Sequence, residues 1–103
     1  MTIDKNRDVL LLDNKDNVVV VLRPIEKGKA IKVDDIKIVT NGSVPIGHKI
    51  AIRPISKNEM VIKYGEEIGK ATKDINAGDH VHVHNVFDIT MEVYERKRKE
   101  LGL

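Results

Sequence analysis

Arg23-Pro24-Ile25-Glu26-Lys27-Gly28-Lys29-Ala30-Ile31 returns as Arg53-Pro54-Ile55-Ser56-Lys57-Asn58-Glu59-Met60-Val61, and again as Lys73-Asp74-Ile75-Asn76-Ala77-Gly78-Asp79-His80-Val81. Each copy runs base, Pro or Asp, Ile, two residues, Gly or Asn, a polar residue and, two positions later, an aliphatic. That order is what a chain corner needs. A strand ends, one Ile stays buried as an anchor, and the backbone turns at a residue that tolerates positive φ. Glycine does so freely and asparagine better than most. A new strand then begins. The copies are offset by 30 and then 20 residues, so the chain is not an evenly spaced solenoid. The unit predicts bent β-hairpins.

The segments between the corners fit that reading. Apolar runs or alternation mark strands over residues 18–22, 31–33, 36–39, 49–52, 61–62, 67–71 and 80–84. Asp34-Asp35 and residues 40–47 read as loops, with Pro45-Ile46-Gly47 a turn before the next strand. Residues 8–12 read either as a further strand or as part of an N-terminal arm over 1–11. Residues 89–101 contain no Gly or Pro and predict a helix of about three turns, capped by Asp88 or Thr90. Its apolar stripe of Ile89, Val93, Tyr94 and Leu101 is thin, which makes it peripheral. The expected organisation is an arm (1–11), a β domain (12–87) and a C-terminal helical segment (88–103), mainly β in class.

Composition narrows the function. With 103 residues the chain fits one domain. Aromatics are only 3%, so the core must be aliphatic. The same scarcity leaves almost no ring to stack on bases, and the net charge is only +2, so nucleic acid is not an expected partner. The basic run Arg96-Lys97-Arg98-Lys99 is flanked by Glu92, Glu95 and Glu100 and reads as a solvated helix face. There is no cysteine, which excludes disulfides, thiolate metal sites and a cysteine nucleophile, and is compatible with a reducing cytosol. The first eight residues lack the apolar core of a secretory signal, and residues 18–22 are too short to span a bilayer. A cytoplasmic location without a membrane partner is expected. No phosphate-binding glycine loop, Gly-x-Ser-x-Gly elbow or His-Glu-x-x-His helix is present.

What remains is histidine. Three of the four histidines lie in His80-Val81-His82-Val83-His84, followed by Asn85. On an extended strand all three share one face. Imidazole is a common metal ligand and an acid–base group near neutral pH. Ligands at i and i+2 can converge on an ion if a third comes from elsewhere. A solvated, histidine-rich strand face would show the same pattern. His80 directly follows the third corner and reads as a turn residue. Lys63-Tyr64-Gly65 offers an ammonium, a hydroxyl and a close backbone approach, although an ordinary strand exit would look alike. His48, after the Pro45-Ile46-Gly47 turn, could bind an acid or simply face solvent.

Taken in order, Gly47-His48-Lys49-Ile50-Ala51-Ile52, Val61-Ile62-Lys63-Tyr64-Gly65, Ile68-Gly69-Lys70-Ala71-Thr72 and residues 75–85 closely resemble the N-terminal domain of the altronate and galactarate dehydratase family. That family includes the sulfolactate sulfo-lyases, whose small subunit is this domain as a separate chain. The resemblance spans about residues 12–87. It implies a SAF-type β-clip fold of bent hairpins, with a short C-terminal α-helix added here. It implies a lyase that removes water from a sugar acid, or sulfite from the related hydroxy acid sulfolactate, with a divalent metal, Fe2+ or Mn2+. Most of the machinery would lie in a large catalytic subunit, and exposed strand edges would permit a homo-oligomer. His82-x-His84-Asn85 matches the family's His-x-His-Asn motif, and Lys63-Tyr64-Gly65 its Lys-Tyr-Gly motif. By that carry-over His82 and His84 are the expected catalytic and metal-binding residues. Lys63, Tyr64, Gly65, Asn85 and His48 are the expected substrate-binding ones. The competing expectations are a free-standing module that binds a sugar acid or metal without catalysis, and a purely structural SAF module.

Overall fold

A computed structural model describes residues 8–103. Nine strands precede one helix: β1 (Val9–Leu10), β2 (Val18–Val21), β3 (Ala30–Val33), β4 (Ile36–Val39), β5 (Lys49–Ala51), β6 (Met60–Lys63), β7 (Glu66–Ala71), β8 (His80–Val81), β9 (Val86–Phe87) and α1 (Thr90–Glu100). All strand pairings are antiparallel. A central sheet runs β1-β2-β5-β8, flanked by the hairpin β3-β4 and by the sheet β6-β7-β9. This is a mainly β, SAF-type β-clip with a short C-terminal helix, as expected.

The central sheet is covered on both faces, which explains why Val18–Val21 is a continuous apolar run rather than an alternating one. Val19, Val21 and Ile50 join one core with Ile25, Ile31, Val33, Ile38 and Val44. Val18 and Ala51 join the other with Ile55, Val61, Ala71, Ile75 and Val81. Every large side chain in either core is aliphatic.

The corners behave as the repeat predicts, and there is a fourth. Gly28, Asn58 and Gly78 adopt φ of 85°, 75° and 94°, and so does Gly47, at 84°. Val44-Pro45-Ile46-Gly47-His48-Lys49-Ile50 therefore repeats the unit within what reads as loop, with Val44 as its anchor. It lacks the leading base and proline that advertise the first two copies, but it keeps the spacing of anchor, Gly at +3 and aliphatic at +6. The anchors pair across two corners at a time. Ile25 and Val44 exchange backbone hydrogen bonds of 3.0 and 2.8 Å, and Ile55 and Ile75 exchange bonds of 2.8 and 2.7 Å. Two similar halves, offset by about 30 residues, thus share the central sheet.

Two expectations need correction at the ends. Within the expected arm, residues 9–10 form the strand that is the other reading of 8–12: Val9 is buried, Leu11 packs against the same core, and β1 pairs with β2 at the sheet edge. The first seven positions of the expected arm lie outside the described residues. At the helix, neither Asp88 nor Thr90 takes the cap position, which falls on Ile89. Ile89 is held there by its own burial, while Asp88 Oδ1 accepts from the Thr90 backbone N–H at 2.8 Å and from its hydroxyl. The helix buries no residue. It lies beside β7 through the ion pairs Lys70–Glu92 (3.3 Å) and Glu67–Arg96 (3.5 Å). Among the described residues, no helix is long and apolar enough to cross a membrane.

Candidate functional site

Strand pairing builds the site. In the β5–β8 ladder Ile50 faces His80 and Lys49 faces Val81. One step further in the same register, 48 falls opposite 82. His48 and His82 are thus cross-strand neighbours, with His80 on the diagonal, and all three project from one face. The rings of His48 and His82 stack with centroids 3.8 Å apart. His48 Nδ1 and His80 Nε2 lie 2.8 Å apart, sharing one proton in a hydrogen bond. One nitrogen from each of the three rings falls within 4.8 Å of the others.

The strand expected over residues 80–84 stops at Val81. Asn85 is the cause. It is 3% exposed, its Oδ1 accepts from the His82 backbone N–H (2.9 Å), and its Nδ2 donates to the His80 carbonyl (2.9 Å). Its backbone N–H returns to the His82 carbonyl at 3.1 Å, closing a tight bend. Backbone groups that a longer strand would offer to a ladder are thereby satisfied locally. The bend leaves Val83 exposed and removes His84 from the stripe. His84 is exposed and not among the converging nitrogens; its ring lies 5.0 Å from that of His80, tilted by 41°. His80, expected both at the start of this strand and in the turn of the third corner, is the first residue of β8 and lies at the heart of the cluster.

The local field is positive. Burial, then the charges of His84, His48, His82 and Lys49, holds the His80 ring below the ordinary histidine range. Burial, then His48, Lys49 and His84, does the same to His82. Both shifts favour neutral imidazole at neutral pH, the form that ligates a metal or accepts a proton. Lys49, unremarked in the sequence, is half-buried. Its ammonium is pushed below the usual lysine range by burial and by Lys63. Lys63 thus stands one charge removed from the rings.

Tyr64 and Gly65 form the two-residue tip between β6 and β7, both with positive φ (60° and 72°), as tight hairpins of this hand require. Their N–H groups donate to Asp16 Oδ2 (2.9 Å) and Oδ1 (2.8 Å), and the Asp13 N–H adds a third bond at 3.1 Å. Asp16 is fully buried. The close backbone approach that Gly65 permits is therefore made by the protein's own carboxylates: a Cβ on Gly65 would stand 3.1 Å from Asp13 Oδ2. The Tyr64 side chain is exposed.

On the far side of His80 a polar hollow of about 220 Å3 is lined by residues that include Asn41, Lys73, His80, His84 and Asn85. Two acids at its wall are engaged: Asp79 accepts from Asn41 Nδ2 (2.6 Å), and Asp74 from the Lys57 N–H (2.9 Å). The donors of the cluster suit a divalent ion. Three ring nitrogens converge, and His82 Nδ1 is buried without a hydrogen-bond partner among the described residues. A buried ring nitrogen in that condition calls for a partner or a ligand.

Fold and site define a β-clip module with an imidazole cluster at a sheet edge. Residues 7–88 match the altronate/galactarate dehydratase SAF domain, and the chain belongs to that family. It is 38% identical over 79 residues to altronate dehydratase of Bacillus subtilis (strain 168), covering 77% of this chain and 16% of that protein. It is 40% identical over 86 residues to (2R)-sulfolactate sulfo-lyase subunit alpha of Chromohalobacter salexigens, covering 92% of that subunit. The altronate dehydratase of Escherichia coli (strain K12) is 46% identical over 70 residues, 14% of its length. The chain thus spans a small part of the dehydratases and nearly all of a sulfo-lyase alpha subunit.

Proposed function

We propose that this chain is the small subunit of a two-chain, cytoplasmic lyase that removes water or sulfite from a hydroxy acid of the sugar-acid type. The carrying observation is the convergence of His48, His80 and His82 beside Lys49, next to a polar hollow. The match along 92% of a sulfo-lyase alpha subunit supports the two-chain arrangement.

Elimination beside a carboxylate needs three things: attraction of the anion, removal of the α-proton, and protonation of the leaving group. Lys49 and Lys63 supply the first, with Lys73 at the wall of the hollow. The α-proton goes to a base of the large subunit or, in the ion-free cluster, to neutral His80 or His82. Exposed His84, at the mouth of the hollow, delivers a proton to the departing hydroxyl. Asn85 is a positioning residue, fixing the backbone that carries His80 and His82. Tyr64, at the tip held by Gly65 and Asp16, faces outward to the incoming large subunit. A divalent ion held by His48, His80 and His82 would add Lewis-acid stabilisation of the enediolate.

The test is co-expression with a candidate large subunit and a turnover assay on altronate, galactarate and sulfolactate. A stable complex is expected, with activity on one acid that falls at least about 100-fold in His80→Ala and His82→Ala. Wild-type turnover in both variants would sink the assignment. Ligand-induced stabilisation of the lone chain, with no complex formed, would favour the free-standing binding module.

A further inference from the structure

We infer that His48, His80 and His82 form a complete three-nitrogen metal site within this chain alone, selective for borderline divalent ions such as Zn2+ and Fe2+ over Mn2+ and Mg2+. The inference rests on the proposed function only for the site's place in a reaction, since the ligands need no second subunit.

The ligand set differs from the one implied by the His-x-His-Asn motif. His84 is carried away by the Asn85 bend, and His48 takes its place from the neighbouring strand. The His48–His80 nitrogen pair is 2.8 Å apart, whereas ligands about 2.0–2.1 Å from a tetrahedral ion stand about 3.3 Å from each other. Ligation requires that pair to open by about half an ångström and the His82 ring, stacked on His48 with centroids 3.8 Å apart, to turn until the three lone pairs meet at one point. His82 Nδ1 already stands buried and unpartnered among the described residues. Asn85 supplies the rigid support, with both ends of its amide on the backbone of two ligands. Three protein ligands leave a tetrahedral ion one open position, the arrangement of catalytic rather than structural sites.

Selectivity follows from what the set lacks. No carboxylate belongs to it, and the charge of Lys49 reaches His80 and His82. Hard ions bound mainly by charge, such as Mg2+, find no anionic ligand and a neighbouring cation. Ions that gain from imidazole nitrogen offset that repulsion, and their affinity order places Mn2+ lowest and Fe2+ above it. Of the two ions implied by the family resemblance, the site therefore prefers Fe2+.

The experiment is calorimetric titration of the purified full chain, apo, with ZnCl2, with Fe2+ under anaerobic conditions, with MnCl2 and with MgCl2, alongside melting curves. One Zn2+ or Fe2+ per chain is expected, with a raised Tm, and Mn2+ at least about 10-fold weaker. His48→Ala, His80→Ala and His82→Ala should each lose at least about 100-fold in affinity, and His84→Ala less than about 3-fold. Circular dichroism of each apo variant separates ligand loss from unfolding, and His48→Gln supplies a second, milder variant at that position. No stoichiometric Zn2+ or Fe2+ binding by the folded wild-type chain would overturn the site. So would loss of binding in His84→Ala with retention in His48→Ala and His48→Gln. Turnover of the two-chain complex is measured separately, so failure of this site and failure of the lyase reading are distinguishable.

Discussion

At the residue scale, two buried polar side chains fix the geometry around the site, and neither is a reacting group. Asn85 joins His80 and His82 through their backbone. Its replacement by Ala leaves a buried N–H and a carbonyl without partners, and should cost about 2 kcal/mol in urea unfolding. Asp16 takes three backbone N–H groups from Asp13, Tyr64 and Gly65. Asp16→Ala should cost about 3 kcal/mol, and Asp16→Asn less, since one oxygen still accepts. The Lys63-Tyr64-Gly65 motif was visible in the sequence, but Asp16 was not. A lone Asp in a loop has no periodicity, and its target lies 48 residues away at Tyr64. His48 was visible as a candidate, but its partnership with His82 emerges only once the β5–β8 register is known.

At the element scale, the corners carry the fold, and their glycines are not equivalent. Gly28 and Gly78 both hold positive φ, but a Cβ on Gly28 meets nothing within 4 Å, whereas one on Gly78 would stand 2.2 Å from the Val39 carbonyl oxygen. Gly28→Ala should cost about 1 kcal/mol, the strain of a left-handed residue. Gly78→Ala should cost clearly more, because the corner must also leave β4; paired melting curves would read the difference. Three corners were legible because their anchors and their Gly or Asn turn residues recur with a leading base. The fourth was missed because Gly42 and Ser43 replace the sequence cue while the backbone geometry persists. The end of β8 was also missed. Alternating His and Val favours an extended strand, and the buried Asn85 immediately after the stripe overrode it. At α1, Asp88 lies below the ordinary carboxylate range because of its bonds to Thr90. A lowered carboxyl contributes stability above its unfolded-state pKa and loses it as pH falls through the folded one. Helical ellipticity should therefore hold down to about pH 4 and drop below it, and Asp88→Ala should show reduced ellipticity at pH 7.

At the scale of the whole molecule, the domain is elongated, 47 × 29 × 22 Å, and the helix is an appendage to it. No helical residue is buried, and the two ion pairs to β7 are exposed, each worth under about 1 kcal/mol. Deleting residues 90–103 while keeping buried Ile89 should lower Tm by no more than a few degrees and leave ion binding intact. The histidine cluster has the opposite character. His48 and His80 are 32 residues apart in sequence, and the strands that unite them are joined through an entire intervening half of the fold. Such non-local pairing forms late and slowly, since the chain loses loop entropy before any contact compensates. A nascent or partly folded chain therefore carries all four histidines without offering the cluster. Whatever recognises it, ion or subunit, selects only chains that have finished folding and draws the slow final pairing toward completion.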